Sequence, residues 1–346
     1  MDGYRKLGAR NQGRKPSAAP DLKRKLRLHS RVSYSHHRSG WDFALRSIDS
    51  LFRDDQRGVL LDSVIEHTFW KGLAAGRRQG RLPYKEPWVG ILHCPPYIPR
   101  WHVYRKSAGY ILKLETWKRS IEHCRGLYVL SEYMADWLGS RLDVPVEALE
   151  HPTEAPSECW TPAKFSANPM PRLVQVGWWL RRLSSLHMTP VRRLHKTMLW
   201  PAVDRVADER IKDVIEREVR HTGRPPMSQW DIERMPALSN RKYDALLARN
   251  VVFLHLWSTL ANNTVVECIV RRTPILVNPL PSITQYLGPN YPLYFNSLEE
   301  AAHKADDFDL LIEAHKYLSK IPVERFSGEQ FRQTIAQSAI YRSLRV

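Results

Sequence analysis

Short apolar runs alternate with amphipathic stretches along most of this chain. Residues 31–36, 58–65, 87–94, 127–130 and 144–149 read as strands, and 41–51, 105–121 and 134–142 between them carry the spacing of helices. Residues 152–171, rich in Pro, Ser and Ala, lack any period and read as a linker. The alternation then resumes. It predicts a strand at 172–178, a basic helix over about 185–199, helices across 202–220 and 241–249, a strand at 251–256 and a further strand from Ile275. Ser297 and Glu300 have the spacing of a capping box that opens another helix, and 331–344 reads as a terminal helix. Strands alternating with helices predict an α/β fold with parallel sheets covered on both faces.

Between the last two strands the chain reads Asn262-Asn263-Thr264-Val265-Val266-Glu267. A polar loop after a buried strand leads into a helix begun by Asn263 or Thr264. Such a turn aims unpaired backbone N–H groups out of the sheet's carboxyl edge, where hydrogen bonds and the helix dipole stabilise an anion. Glu267 lies one turn further in, placed to accept hydrogen bonds from sugar hydroxyls while the helix start holds a diphosphate. The arrangement suits a nucleotide sugar.

This stretch, with Leu280-Pro281, Tyr286-Leu287-Gly288 and Tyr291-Pro292-Leu293-Tyr294-Phe295 after it, resembles the donor half of GT-B glycosyltransferases. Residues 127–134 are similar to the strand and Ser-Glu turn that close the first domain of that family. Gly177-Trp178-Trp179-Leu180-Arg181-Arg182 is similar to the Gly-then-Arg strand that opens the second. The resemblance implies two Rossmann-like domains facing a cleft, with a C-terminal helix crossing back to the first. Its expected divisions are a basic arm over 1–28, an acceptor domain over 29–165, a donor domain over 166–325 and the crossover helix over 326–346. The donor would be a nucleotide sugar, a UDP-sugar being expected, bound by Gly177, Trp178, Arg181, Arg182, Lys196, Asn262, Asn263, Thr264 and Glu267. Many retaining members carry a second glutamate seven residues earlier, and here that position is Leu260.

Charge bears on the acceptor. The chain holds 53 Lys and Arg against 36 Asp and Glu, a net +17, which favours polyanionic partners. About half the excess lies in residues 1–40. Trp70, Arg77, Arg78, Arg81 and Trp88 interleave aromatic and basic residues, as a loop that grips phosphates and stacks on bases would. Duplex DNA carrying modified bases is therefore the expected acceptor, as in the basic two-domain GT-B enzymes of phages. An anionic membrane surface presenting a polysaccharide or glycolipid is the alternative, and a non-catalytic nucleic-acid binder of the same fold is a second. The acceptor side would use Arg38, Ser39, Gly40, Trp41, Trp70, Arg77, Arg78, Arg81 and Tyr97.

Transfer also needs a base for the acceptor hydroxyl's proton. Asp62 and Glu66 follow a buried strand, His93 ends another, and His36 precedes the polar turn into the 41–51 helix. Asp62 ranks first, His93 second and His36 third. Asp307-Phe308-Asp309 has the form of a metal-binding DxD, yet it opens a helix late in the chain, where N-terminal acids are expected anyway. No obligatory metal is expected. The N-terminus has no apolar core and no run approaches a membrane span, so a soluble cytoplasmic protein with four reduced, structural cysteines is expected.

Overall fold

A computed structural model of the 346-residue chain describes residues 24–28, 40–53, 55, 57–71, 82–200 and 205–345. Two all-parallel five-stranded sheets form its frame. The first runs in chain order: β1 (Leu26–Leu28), β2 (Val59–Asp62), β3 (Trp88–Leu92), β4 (Cys124–Val129) and β5 (Val146–Ala148). The second holds β6 (Arg172–Val176), β7 (His195–Leu199), β8 (Glu233–Met235), β9 (Val251–Leu254) and β10 (Ile275–Val277), in the order β10-β9-β6-β7-β8. β2, β3, β9 and β10 are buried at every position, which is why they read as continuous apolar runs. The predicted α/β architecture of two Rossmann-like domains is the one observed.

Three local expectations are corrected. Leu26–Leu28, inside the supposed basic arm, is edge strand β1, in register with Val59–Leu61. The supposed basic helix over 185–199 is a short helix, Ser184–Met188, a turn, and strand β7. Thr189 and Pro190 stop that helix, and Met198 and Leu199 enter the second core from the strand. The Pro-rich 152–171 stretch is not a bare linker either. Trp160 is fully buried in the second core and its backbone N–H donates to the Arg271 carbonyl (2.9 Å), and Pro162–Ser166 is a helix capped by Thr161. The strand expected at 31–36 lies outside the described residues.

The helices Gly328–Gln337 and Ala339–Ser343 return to the first domain. Phe331, Ile335, Ile340 and Tyr341 are buried in its core, and the Tyr128 and Ser338 hydroxyls are 2.6 Å apart. Gly126 in β4 makes this seat possible, since a Cβ there would lie 2.6–2.8 Å from Ile340 side-chain atoms. Loops also cross. Leu260, after β9 in the second domain, is 1% exposed and packs within the first domain's core. Ser297 caps its helix as expected, accepting from Glu300 N–H (3.1 Å).

Gly126→Ala should destabilise the protein by about 1–3 kcal/mol through overpacking against Ile340. Ile340→Val in the same background should recover part of the loss. Urea unfolding of both variants checks the pair, and a neutral Gly126→Ala would refute this packing.

Candidate active site

In the second sheet the order of strand addition reverses between β6 and β9, so the loops leaving those two strands part at a topological switch point. Open α/β sheets bind ligands in that crevice. Gly177, at φ +75°, turns the chain out of β6, and Leu180 at φ +56° turns it again. Arg181 is thereby delivered into the crevice. Its Nε donates to the Val176 carbonyl (3.2 Å), Nη1 to the Trp179 carbonyl (2.5 Å), and Nη2 reaches Asn262 Oδ1 and Thr264 Oγ1, each at 3.5 Å. Burial pushes Arg181 down to about 10, so it remains a cation at neutral pH.

Asn262 caps the helix Asn263–Arg271, its Oδ1 accepting from Thr264 N–H at 3.1 Å. Thr264 and Glu267, three residues apart, share one helix face. Glu267 is 4% exposed and accepts the Tyr243 hydroxyl at 2.5 Å. Beneath it Arg271, fully buried, donates Nη1 to the Glu267 carbonyl (3.0 Å) and pairs with Asp244, whose other oxygen takes the backbone and side-chain donors of Ser157. Arg181, Asn262 and Thr264 thus meet at the start of this helix, which Asn263 opens, with Gly177 against the Arg181 guanidinium and Glu267 one turn further in. Tyr243, Arg271 and Asp244 complete the frame. Only the Glu267/Arg271 spacing of one helical turn hinted at them.

Trp178 and Arg182 sit to one side. The Arg182 guanidinium stacks over Trp257 at 4.1 Å with Nε unpartnered, and burial, then Arg224, lower its pKa. Lys196 does not join them. It pairs in register with Leu173 near the amino end of the sheet, and its ammonium donates to the His187 carbonyl at 2.6 Å. Arg192 and Arg193 lie in the preceding loop, with backbone N–H groups on the Asp306 carboxylate.

The facing wall is built at the carboxyl ends of β2 and β3. Asp62, 2% exposed, has both oxygens engaged: Oδ1 accepts from Val64 N–H (3.2 Å) and Oδ2 from the Tyr84 hydroxyl (2.9 Å). Its place is in the support of the wall, not on its surface. Glu66 accepts the N–H groups of His93 and Cys94 on Oε1, both at 2.6 Å, while Oε2 is buried without a partner. Burial raises Glu66 to about 7. His93 Nε2 lies 2.9 Å from the Ser63 carbonyl; a carbonyl only accepts, so Nε2 carries the proton and Nδ1 keeps its lone pair. Trp41, in the helix that Gly40 caps, meets the His93 ring edge-on at 4.2 Å.

Aromatic contacts close the seam between the domains. Trp101 meets Trp257 at 5.4 Å, His102 meets Trp179 at 5.0 Å, and Lys106 sits 4.7 Å over Trp70 and 4.5 Å over Trp179. Tyr97 stands apart, 64% exposed, against Trp137. His36, Arg38, Ser39, Arg77, Arg78 and Arg81 lie outside the described residues. Asp307 caps a helix, its Oδ1 accepting from Leu310 N–H, and among the described residues no group of three His, Cys, Asp or Glu is placed to hold a metal. No helix among them is long and apolar enough to cross a membrane. All four cysteines are free thiols.

No family profile matches this chain, and no curated protein matches its sequence. Solved structures do match. HepE of Anabaena, in complex with UDP and glucose, aligns over 91% of this chain and 98% of its own with a TM-score of 0.59 at 11% identity. TarM of S. aureus, in complex with Fondaparinux, α-GlcNAc-glycerol and UDP, aligns over 85% of this chain and 58% of its own, with a TM-score of 0.54 and 12% identity. A UDP-forming α,α-trehalose-phosphate synthase of Burkholderia vietnamiensis aligns over 88% and 77%, with a TM-score of 0.51 and 14% identity. The fold is the GT-B fold.

The buried histidines set the acid response. Burial pushes His93 and His255 down to about 3 and His102 to about 4. Unfolded, each takes a proton near 6.5, so below that pH the unfolded chain binds more protons and stability falls as pH falls. Glu66 acts in the opposite sense between about 4.5 and 7, because the folded state keeps a proton that the unfolded chain has lost. Three groups outweigh one. Stability should drop by about 1–2 kcal/mol between pH 6 and 5. Melting temperatures across that range at constant ionic strength check this, and a rise on acidification would refute it.

Proposed function

We propose that this protein is a glycosyltransferase that moves a sugar from a UDP-sugar to an acceptor hydroxyl. The observation that carries the reading is the convergence of Arg181, Glu267 and the start of the helix Asn263–Arg271 at the β6/β9 switch point, opposite a wall bearing Gly40, Trp41 and His93. In the reaction, the bond between the anomeric carbon and the diphosphate oxygen breaks as the acceptor oxygen bonds to that carbon. Charge builds on the departing diphosphate. Arg181 and the N–H groups of the helix start stabilise it there. Glu267, held by Tyr243, accepts hydrogen bonds from donor hydroxyls. On the other wall His93, neutral at working pH, receives the acceptor hydroxyl's hydrogen bond on its Nδ1 lone pair, takes that proton as the new bond forms, and releases it to solvent afterwards.

UDP is the nucleotide favoured, because HepE and TarM are similar structures in complex with UDP-glucose and with UDP, and the Burkholderia synthase is UDP-forming. A saccharide acceptor is favoured as well, since TarM is in complex with α-GlcNAc-glycerol and the Burkholderia enzyme is a trehalose-phosphate synthase. A DNA acceptor has the +17 charge in its favour, but Arg77, Arg78 and Arg81, on which it chiefly rests, are outside the described residues.

Glu267→Ala should abolish transfer from the preferred nucleotide sugar while circular dichroism stays that of the folded protein. Wild-type turnover in that variant would sink the assignment. Arg181→Ala should weaken UDP binding by about 1.5–3 kcal/mol, the loss of a charged hydrogen bond, as read by titration calorimetry. Screening UDP-, GDP- and ADP-sugars by mass against saccharide, vesicle and duplex DNA acceptors decides the rest: sugar added to DNA alone would reverse the choice of acceptor, and no transfer or hydrolysis with any donor would leave a binding protein.

A further inference from the structure

A cavity of about 270 Å³ opens on the first domain, and no residue of the Arg181 crevice lines it. Its walls come from the loop after β3 (Tyr97 and Tyr104), the helix Ala108–Ile111 and the residues after it (Gly109 and Lys113), and the helix Glu132–Gly139 with its C-terminal turn (Trp137 and Arg141). The loop can lie on the helix because residue 109 is glycine: its N–H donates to the Pro96 carbonyl (3.0 Å), and a Cβ would sit 2.8 Å from that oxygen. Tyr97 meets Trp137 edge-on at 6.0 Å and stays 64% exposed, an aromatic ring left in water at the rim.

The cations give the site its sign. The Arg141 guanidinium lies 4.3 Å over the Trp137 ring, with Nη1 on the Trp137 carbonyl and the Ser140 hydroxyl. Among the described residues neither Arg141 nor Lys113 has a carboxylate partner within ion-pair distance, and Trp137 Nε1 is buried without an acceptor. Flat aromatic faces beside cations without carboxylate partners suit a ring with an apolar face and a negative charge. The volume lies just under the roughly 300–1,000 Å³ of sites for drug-sized ligands, so it admits one sugar ring and not a duplex.

We propose that this pocket binds an anionic saccharide, a sugar ring bearing a phosphate or carboxylate, as the part of the acceptor remote from the hydroxyl that receives the transferred sugar. The inference rests on the saccharide-acceptor reading above. The ring belongs either to a free sugar or to the headgroup of a glycolipid, with the same recognition in both.

Titration of the full chain with glucose 1-phosphate, glucuronic acid and neutral glucose, and with phosphatidylglycerol vesicles lacking sugar, tests it. Saturable binding of the two anionic sugars, with glucose much weaker, is expected. Tyr97→Ala and the pair Lys113→Glu with Arg141→Glu, all exposed positions, should each weaken it about tenfold or more, the factor of a lost charged contact or stacking ring. UDP affinity should be unchanged in both, which separates this site from the donor site: loss of UDP binding in the wild type would defeat the proposed function, whereas anionic-sugar binding unaffected by these variants would defeat the pocket. Glucose binding as tightly as the anionic sugars would overturn the role of the cations. Vesicle binding lost in the variants, with no sugar bound, would make the face a lipid-surface contact and overturn the saccharide site.

Discussion

A partly buried guanidinium at the carboxyl edge of the second sheet is the constraint on which the crevice there depends. Arg181 joins the end of β6, the loop that follows it and the cap of the helix after β9. A charge in that position is costly unless it is hydrogen-bonded, and the chain supplies two carbonyls and two side-chain oxygens around it. The result is a cation fixed where two parallel strands diverge. Such preorganisation is what makes a charge useful to a departing anion, since nothing must reorient when the anion forms.

The second layer is ionic as well. Arg271 and Asp244, with side chains 0% and 1% exposed, form a pair whose spare donors and acceptors are taken by Glu267 and Ser157. Buried pairs of this kind are a poor source of net stability, but removing one partner leaves an uncompensated charge and is strongly destabilising. Their effect is on position. The last turn of the helix Asn263–Arg271 is pinned to the helix Asn240–Leu247, which also carries Tyr243, so the Glu267 carboxylate is set by two elements at once.

Much of this was legible in the sequence because parallel strands buried on both faces are apolar at every position, as 251–254 and 88–92 are, and because Asn262 announces a cap. Lys196 was misread because a basic run has no visible period: the turn at Thr189 and Pro190 converts the expected helix face into a strand whose amino end points away from the crevice. Asp62 and Glu66 look alike in sequence, two carboxylates among apolar neighbours. Only Tyr84, 22 positions after Asp62, and the N–H groups of residues 93 and 94 distinguish them, and such long-range partners leave no local pattern. β1 was hidden for a similar reason, since three residues beside a dense basic segment carry too little apolar signal to outweigh it.

Leu260 gives the two-domain arrangement a mechanical property. It belongs to a loop of the second domain yet is seated in the first domain's apolar core, two residues before the Asn262 cap that touches Arg181. Separating the domains would draw that side chain into water, a cost of about 1.5–3 kcal/mol for a leucine, and would pull on the cap at the same time. The leucine acts as a tether: the shape of the Arg181 crevice and the gap between the domains cannot change independently.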